Sequence, residues 1–155
     1  MIELSDESLR RVYKETSTIA VVGCSSSWPK PGAVVPAYIQ SCGYRIVPVN
    51  PFEEEILGER CVASLSALTV PIDVVNVFRP AEEAPAIALD AVDAGARCLW
   101  IQTGIVSDEA RRIACDAGLL FVEDRCIGIT HGQLGLGTGV AAWKAAMEQR
   151  SMQSS

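Results

Sequence analysis

The sequence predicts an α/β protein, a Rossmann-like three-layer domain around a parallel sheet of about five strands. Three observations predict it. Short apolar runs rich in branched residues alternate with longer helical segments, the pattern of a parallel sheet covered on both faces. Glycine closes three of the helical segments just before a strand, in "CGYRIV", "AGARCLW" and "AGLLFV", where it serves as a left-handed helix stop. The first strand ends in "VVGCSSSWPKPG", a glycine turn that leads into a helix.

The elements follow in order. An N-terminal helix is expected around Asp6–Glu15. The strands are Thr18–Gly23, Arg45–Val49, Asp73–Phe78, Arg97–Gln102 and Leu119–Glu123. Helices fit between them at Ala33–Cys42, Ala81–Ala94 and Ser107–Ala117, with a short one at Ser64–Leu68. In the second of these, Ala84, Ile87, Ala88 and Ala91 share one face. Ser107 suits an N-cap, and Asp108 and Glu109 suit the positive end of the helix dipole. A last helix is expected around Gly139–Arg150, with "SMQSS" as a frayed end. The whole chain, 1–155, reads as one domain with its core at about residues 18–129. Numbered along the chain, the strands fit the order 3-2-1-4-5, which right-handed crossovers allow.

Composition removes several classes of function. The net charge is -6, and Lys14, Lys30 and Lys144 are the only lysines. A nucleic-acid partner needs a basic surface, so none is expected. No apolar run approaches the ~18 residues of a membrane span, so no membrane association is expected. The N-terminal "MIELSDESLRRVYKE" lacks the apolar stretch of a signal peptide, and the chain reads as cytoplasmic. Six cysteines contain no Cys-x-x-Cys pair, so reduced thiols are expected rather than zinc or a redox site. Cys42, Cys98 and Cys115 read as small core residues.

In open α/β sheets, ligands bind beyond the carboxyl ends of the strands. The turns there are "GCSSSWPKPG", "NPFEEE", "FRPAEE", "QTGIVS" and "EDRCIG". In the first, Gly23 permits the turn. Ser25, Ser26 and Ser27 offer hydroxyls and backbone N–H groups, and Lys30 and a helix N-terminus add positive charge, which together suit a phosphate. A plain serine-rich connector would have the same composition. A usual dinucleotide site needs a second glycine where Ser25 stands, and an acid at the end of the second strand, where Asn50 and Pro51 stand. NAD is therefore disfavoured. Arg79 is placed either for an anion or for a salt bridge to Glu82 or Glu83. Arg125 is expected to pair with Glu123 or Asp124. His131, the only histidine, reads as a loop residue without a catalytic task. Trp28 and Trp100 suit either packing or stacking on a base.

The segments "VVGCSSS", "VPVNP", "VFRPAEE", "AGARCLWIQTGI" and "DAGLLFVEDRCIGI" resemble, in this order, the small stand-alone CoA-binding domain proteins. These are similar to the N-terminal domain of the succinyl-CoA synthetase alpha subunit. The resemblance runs from about Thr18 to Ile129. It implies CoA or an acyl-CoA lying across the carboxyl edge of the sheet. By matching positions, Gly23, Cys24, Ser25, Ser26 and Lys30 approach the phosphates. Asn50 and Pro51 contribute after the second strand, and Phe78, Arg79 and Pro80 after the third. Ile101, Gln102, Thr103 and Gly104 match the fourth turn. The sequence departs from relatives at Phe52, where a basic or polar residue is common. It departs again at Ala33, Val34 and Val35, where an aromatic residue and an arginine are common. The synthetase's phosphohistidine domain has no counterpart here, so the resemblance implies binding without complete ligase chemistry.

Three functions compete: a CoA-binding protein without catalysis of its own, an NAD(P)-binding oxidoreductase-like domain, and a ligand-free protein interaction module. Oligomeric state is open, and both a homo-oligomer and a partner enzyme are compatible with the sequence. For Cys24, near a helix N-terminus that can lower a thiol's pKa, a mixed disulfide with oxidised CoA is a further expectation.

Overall fold

The computed structural model describes residues 3–153. Helix α1 (Asp6–Glu15) leads into β1 (Thr18–Val22), α2 (Pro31–Ser41) and β2 (Arg45–Val49). A two-stranded hairpin follows, β3 (Glu55–Ile56) with β4 (Glu59–Arg60), and then a single 3-10 turn at Leu65–Ala67. Strand β5 (Val74–Val77), helix α3 (Ala84–Asp93), β6 (Cys98–Ile101), α4 (Asp108–Asp116) and β7 (Leu120–Val122) complete the alternation. Helices α5 (Ile127–Gln133) and α6 (Val140–Gln153) close the chain. Of the expected frayed end, Ser151–Gln153 are helical, and Ser154 and Ser155 lie outside the described residues.

The five main strands are parallel, in the order β2-β1-β5-β6-β7. Counting only these five, that is 2-1-3-4-5, which corrects the expected 3-2-1-4-5. Pro48 supplies a physical reason. It lies inside β2 and has no N–H, and proline in a sheet is confined to edge strands. Its carbonyl accepts from Val62 N at 3.0 Å on the outer side, the side its missing N–H would also face. Segment 59–62 therefore covers that edge, with a single parallel bridge between Val49 and Val62. The hairpin that supplies the segment turns through Leu57 and Gly58, both at positive φ. It lacks the Asn-Gly signal by which sequence reveals such turns.

Strand residues alternate between two cores. Ile19, Val21, Ile46, Val74, Cys98, Trp100 and Val122 face α1, α2 and α5. Ala20, Val49, Val75, Val77, Leu99 and Ile101 face α3 and α4. The glycines after α2, α3 and α4 all hold positive φ, as a left-handed stop requires. A buried polar bridge pins α5 to the sheet. Asn76 Nδ2 donates to Gln102 Oε1 at 3.0 Å, and the same oxygen accepts from Ile127 N at 2.9 Å. No described helix is long and apolar enough to cross a membrane.

Candidate functional site

A cleft of about 1210 Å3 opens at the carboxyl edge of the sheet. It exceeds the roughly 300–1,000 Å3 usual for drug-sized ligands. The turn after β1 forms its floor, and local chemistry shapes that turn. Gly23 has φ +87°, and a Cβ there would lie 3.0 Å from both Phe78 O and Arg79 Cδ. A Cβ on Gly32 would lie 3.0 Å from Gly23 O, so α2 starts hard against the strand end. Pro36 inside α2 has no N–H to donate one turn back to Gly32 O. That carbonyl accepts from Ser25 N instead, at 3.0 Å, which folds the serine turn onto the helix.

The structure places Gly23, Cys24, Ser25, Lys30, Asn50, Pro51, Phe78, Arg79, Gln102 and Thr103 on the cleft. Four other residues singled out in the sequence are absent from its walls. Ile101 is fully buried in the core against α3 and α4. Gly104 N donates to Asp124 Oδ1 at 2.7 Å. Pro80 is exposed outside the cleft, ahead of the 3-10 turn Ala81–Glu83. Ser26 is turned toward Glu53, whose carboxylate accepts from both its hydroxyl and its N–H.

The backbone N–H groups of the serine turn are less available than the sequence suggests. Ser25 N is held by Gly32 O, Ser26 N by Glu53, and Ser27 N by Ser25 Oγ at 2.9 Å. What remains toward the cleft is the Ser25 hydroxyl, Lys30, and the start of α2, which no side chain caps. Asn50 joins the first two turns. Its Nδ2 donates to Cys24 O at 2.9 Å, and its Oδ1 accepts from Phe52 N at 2.8 Å. A carboxylate at position 50, as a dinucleotide site would need, could not donate to Cys24 O.

Arg79 binds Glu83 through its Nε and through Nη2 at 2.6 Å, with both side chains 47% exposed. The Glu83 carboxylate holds the Arg79 guanidinium above its ordinary pKa. This realises the salt-bridge alternative for Arg79, yet the residue still lines the cleft. Arg125 pairs with neither expected acid; its Nε donates to Thr130 Oγ1 at 2.8 Å. Glu123 is taken by Arg111 at 2.5 Å.

The reactive-cysteine expectation fails on burial. Cys24 is 1% exposed, and desolvation pushes its thiol up to about 12, against any lowering by a helix N-terminus. Cys98 is a core residue, whereas Cys42 is half-buried and Cys115 is exposed on α4, which corrects those two. His131 is not in a loop. It lies in α5, 2% exposed, edge-on to the rings of Tyr13, Tyr38 and Tyr44. Tyr38 OH accepts from Gly139 N at 3.0 Å and shares a hydrogen bond with His131 Nδ1 at 3.0 Å. Trp100 is core, while Trp28 packs on Trp143 at 6.1 Å.

Other walls had no signal in the sequence. Ser64, Leu65, Ile87, Asp90, Ile129, Val140 and Lys144 also line the cleft. All lie outside the five turns that mark the sheet edge.

Known proteins share both this sequence pattern and this fold. The chain is 35% identical over 127 residues to the uncharacterized protein YneT of Bacillus subtilis (strain 168), covering 82% of this chain and 94% of that one. A solved Thermus thermophilus protein superposes with TM-score 0.81 at 35% identity, covering 84% of this chain and 99% of that one. A dinucleotide-forming acetyl-coenzyme A synthetase from Ca. Korarchaeum cryptofilum, in complex with phosphate and ADP, gives TM-score 0.61 at 25% identity. That match covers 68% of this chain and 25% of the synthetase chain. The CoA binding domain family matches residues 17–132, and the chain belongs to that family.

Proposed function

We propose that this protein binds CoA or an acyl-CoA in the cleft at the carboxyl edge of its sheet, and has no catalysis of its own. The observation that carries the reading is the placement of cations. In a chain of net charge -6 with three lysines, two of them, Lys30 and Lys144, line this cleft together with Arg79. A ligand with several phosphates is the natural partner of such a site. The family match supports CoA as that ligand. Ser26 is turned to Glu53 and away from the cleft, which leaves the Ser25 hydroxyl as the serine side chain available to a ligand phosphate. Asn50, committed to Cys24 O, weighs against NAD. Two groups that could do chemistry are occupied or suppressed: His131 Nδ1 is hydrogen-bonded to Tyr38 OH, and the Cys24 thiol is held neutral by burial.

Titration calorimetry with CoA, acetyl-CoA, NAD and NADP tests this. Heat is expected with CoA and little with the dinucleotides. Arg79→Ala should weaken CoA by about tenfold, the effect of roughly one charged hydrogen bond. Absence of heat at millimolar CoA together with binding of NAD would overturn the reading in favour of the oxidoreductase alternative. Succinate, CoA and ATP or GTP should give no succinyl-CoA above a heat-killed control.

A further inference from the structure

Helix α6 begins at Val140, beyond residue 132 where the family match ends. It nonetheless forms a wall of the cleft through Val140 and Lys144. Three contacts fasten it to the ligand side of the fold. Trp143 packs on Tyr38 of α2 with ring centroids 6.0 Å apart, and on Trp28 of the serine turn at 6.1 Å. Trp28 Nε1 also donates to Glu148 Oε1 at 3.3 Å. The same Glu148 oxygen receives Lys144 Nζ at 2.9 Å. Thus Lys144 lines the same cleft as Pro29 and Lys30, held by a carboxylate that a tryptophan of the serine turn also holds.

This arrangement has a consequence for a bound anion. The Lys144–Glu148 pair is a solvent-accessible pair one helical turn apart, with side chains 36% and 43% exposed. Such pairs are weak, and a phosphate offers a lysine more charge than a carboxylate does. Glu148 would keep its Trp28 partner when Lys144 leaves, so release strands no hydrogen-bond acceptor. On the CoA reading above, we propose that α6 is part of the nucleotide site. Lys144 leaves Glu148 and pairs with a phosphate of the ligand, while Trp28 and Trp143 hold the helix in place. The site therefore has a cation that the family's own segment does not contain.

Calorimetry on the full chain decides it, with CoA and 3′-dephospho-CoA as probes. Lys144→Met should weaken CoA about tenfold, and Lys144→Arg should restore most of the affinity. Glu148→Gln keeps an acceptor for Trp28 and frees Lys144, and should tighten CoA about twofold. Lys14→Met, which changes net charge equally at an exposed position on α1, should leave binding unchanged. A Lys144→Met loss seen with both probes assigns the lysine to the diphosphate, and a loss with CoA alone assigns it to the 3′-phosphate. CoA binding by Lys144→Met at wild-type strength overturns the proposal. So does an equal loss in Lys14→Met, or a loss that Lys144→Arg fails to restore and that comes with a lowered Tm. A wild-type protein silent to CoA overturns the CoA reading itself, before any variant is measured.

Discussion

The two faces of the sheet are built on opposite principles. Toward α3 and α4 the packing is small: Ala84, Ala88, Ala91, Ala110 and Ala114 are fully or almost fully buried, and the helices approach one another closely. Toward α1, α2 and α5 it is large and hydrogen-bonded. Tyr13 OH donates to Ile127 O at 2.6 Å, Trp100 Nε1 to Arg125 O at 2.8 Å, and Tyr38 links Gly139 to His131. Only the second face carries α2, α5 and α6, from which Lys30's turn, Ile129 and Lys144 reach the cleft. Small side chains give close, nondirectional packing, whereas aromatic side chains with polar tips fix where their neighbours sit. The cleft takes residues from both faces, Ile87 and Asp90 of α3 among them, but the directional bonds lie on the side of α2 and α5.

The contrast can be broken from either side. Trp100→Ala on the aromatic face should be the most damaging change. It removes a fully buried indole packed 5.6 Å from Tyr13 and strands Arg125 O, and should cost about 3–5 kcal/mol by denaturant titration. A cost below about 1 kcal/mol would mean that this face tolerates cavities and is not the rigid one. Ala88→Leu should act in the opposite sense, by overfilling, at about 1–3 kcal/mol. If the Ala88→Leu change is instead neutral, the alanine face has slack that its burial does not suggest.

Acid gives the finest separation. Burial lowers the His131 pKa below its usual 6.5, so the folded protein keeps the ring neutral. The unfolded chain takes up the proton first as pH falls. This part of the stability is therefore complete above about pH 6.5 and is lost as pH drops from there toward the lower folded pKa. The Tm of the wild type should fall between about pH 7 and pH 5 more steeply than that of His131→Gln. Parallel slopes in the two proteins would show that the aromatic cluster does not sense the proton.

The sequence by itself determined the alternation of elements, the helix stops and the turns that line the sheet edge. Periodicity, glycine conformation and capping act over a few residues, so a single strand or helix is enough to read them. Of the site, it reached Gly23, Asn50, Arg79 and Thr103, because each sits at the end of a recognisable strand, and Lys30, because it starts the helix after the first of them. Pro48 even held the clue to the strand order, since a proline strand belongs at an edge. Only the tertiary structure decided which groups meet. Glu53 takes Ser26, Glu83 rather than Glu82 takes Arg79, and Thr130 takes Arg125. Glu148 is 120 residues from Trp28 and still bonds to it. Local propensity carries no information about such partners. They are set when apolar faces pack, because packing fixes the few directions in which each polar tip can point.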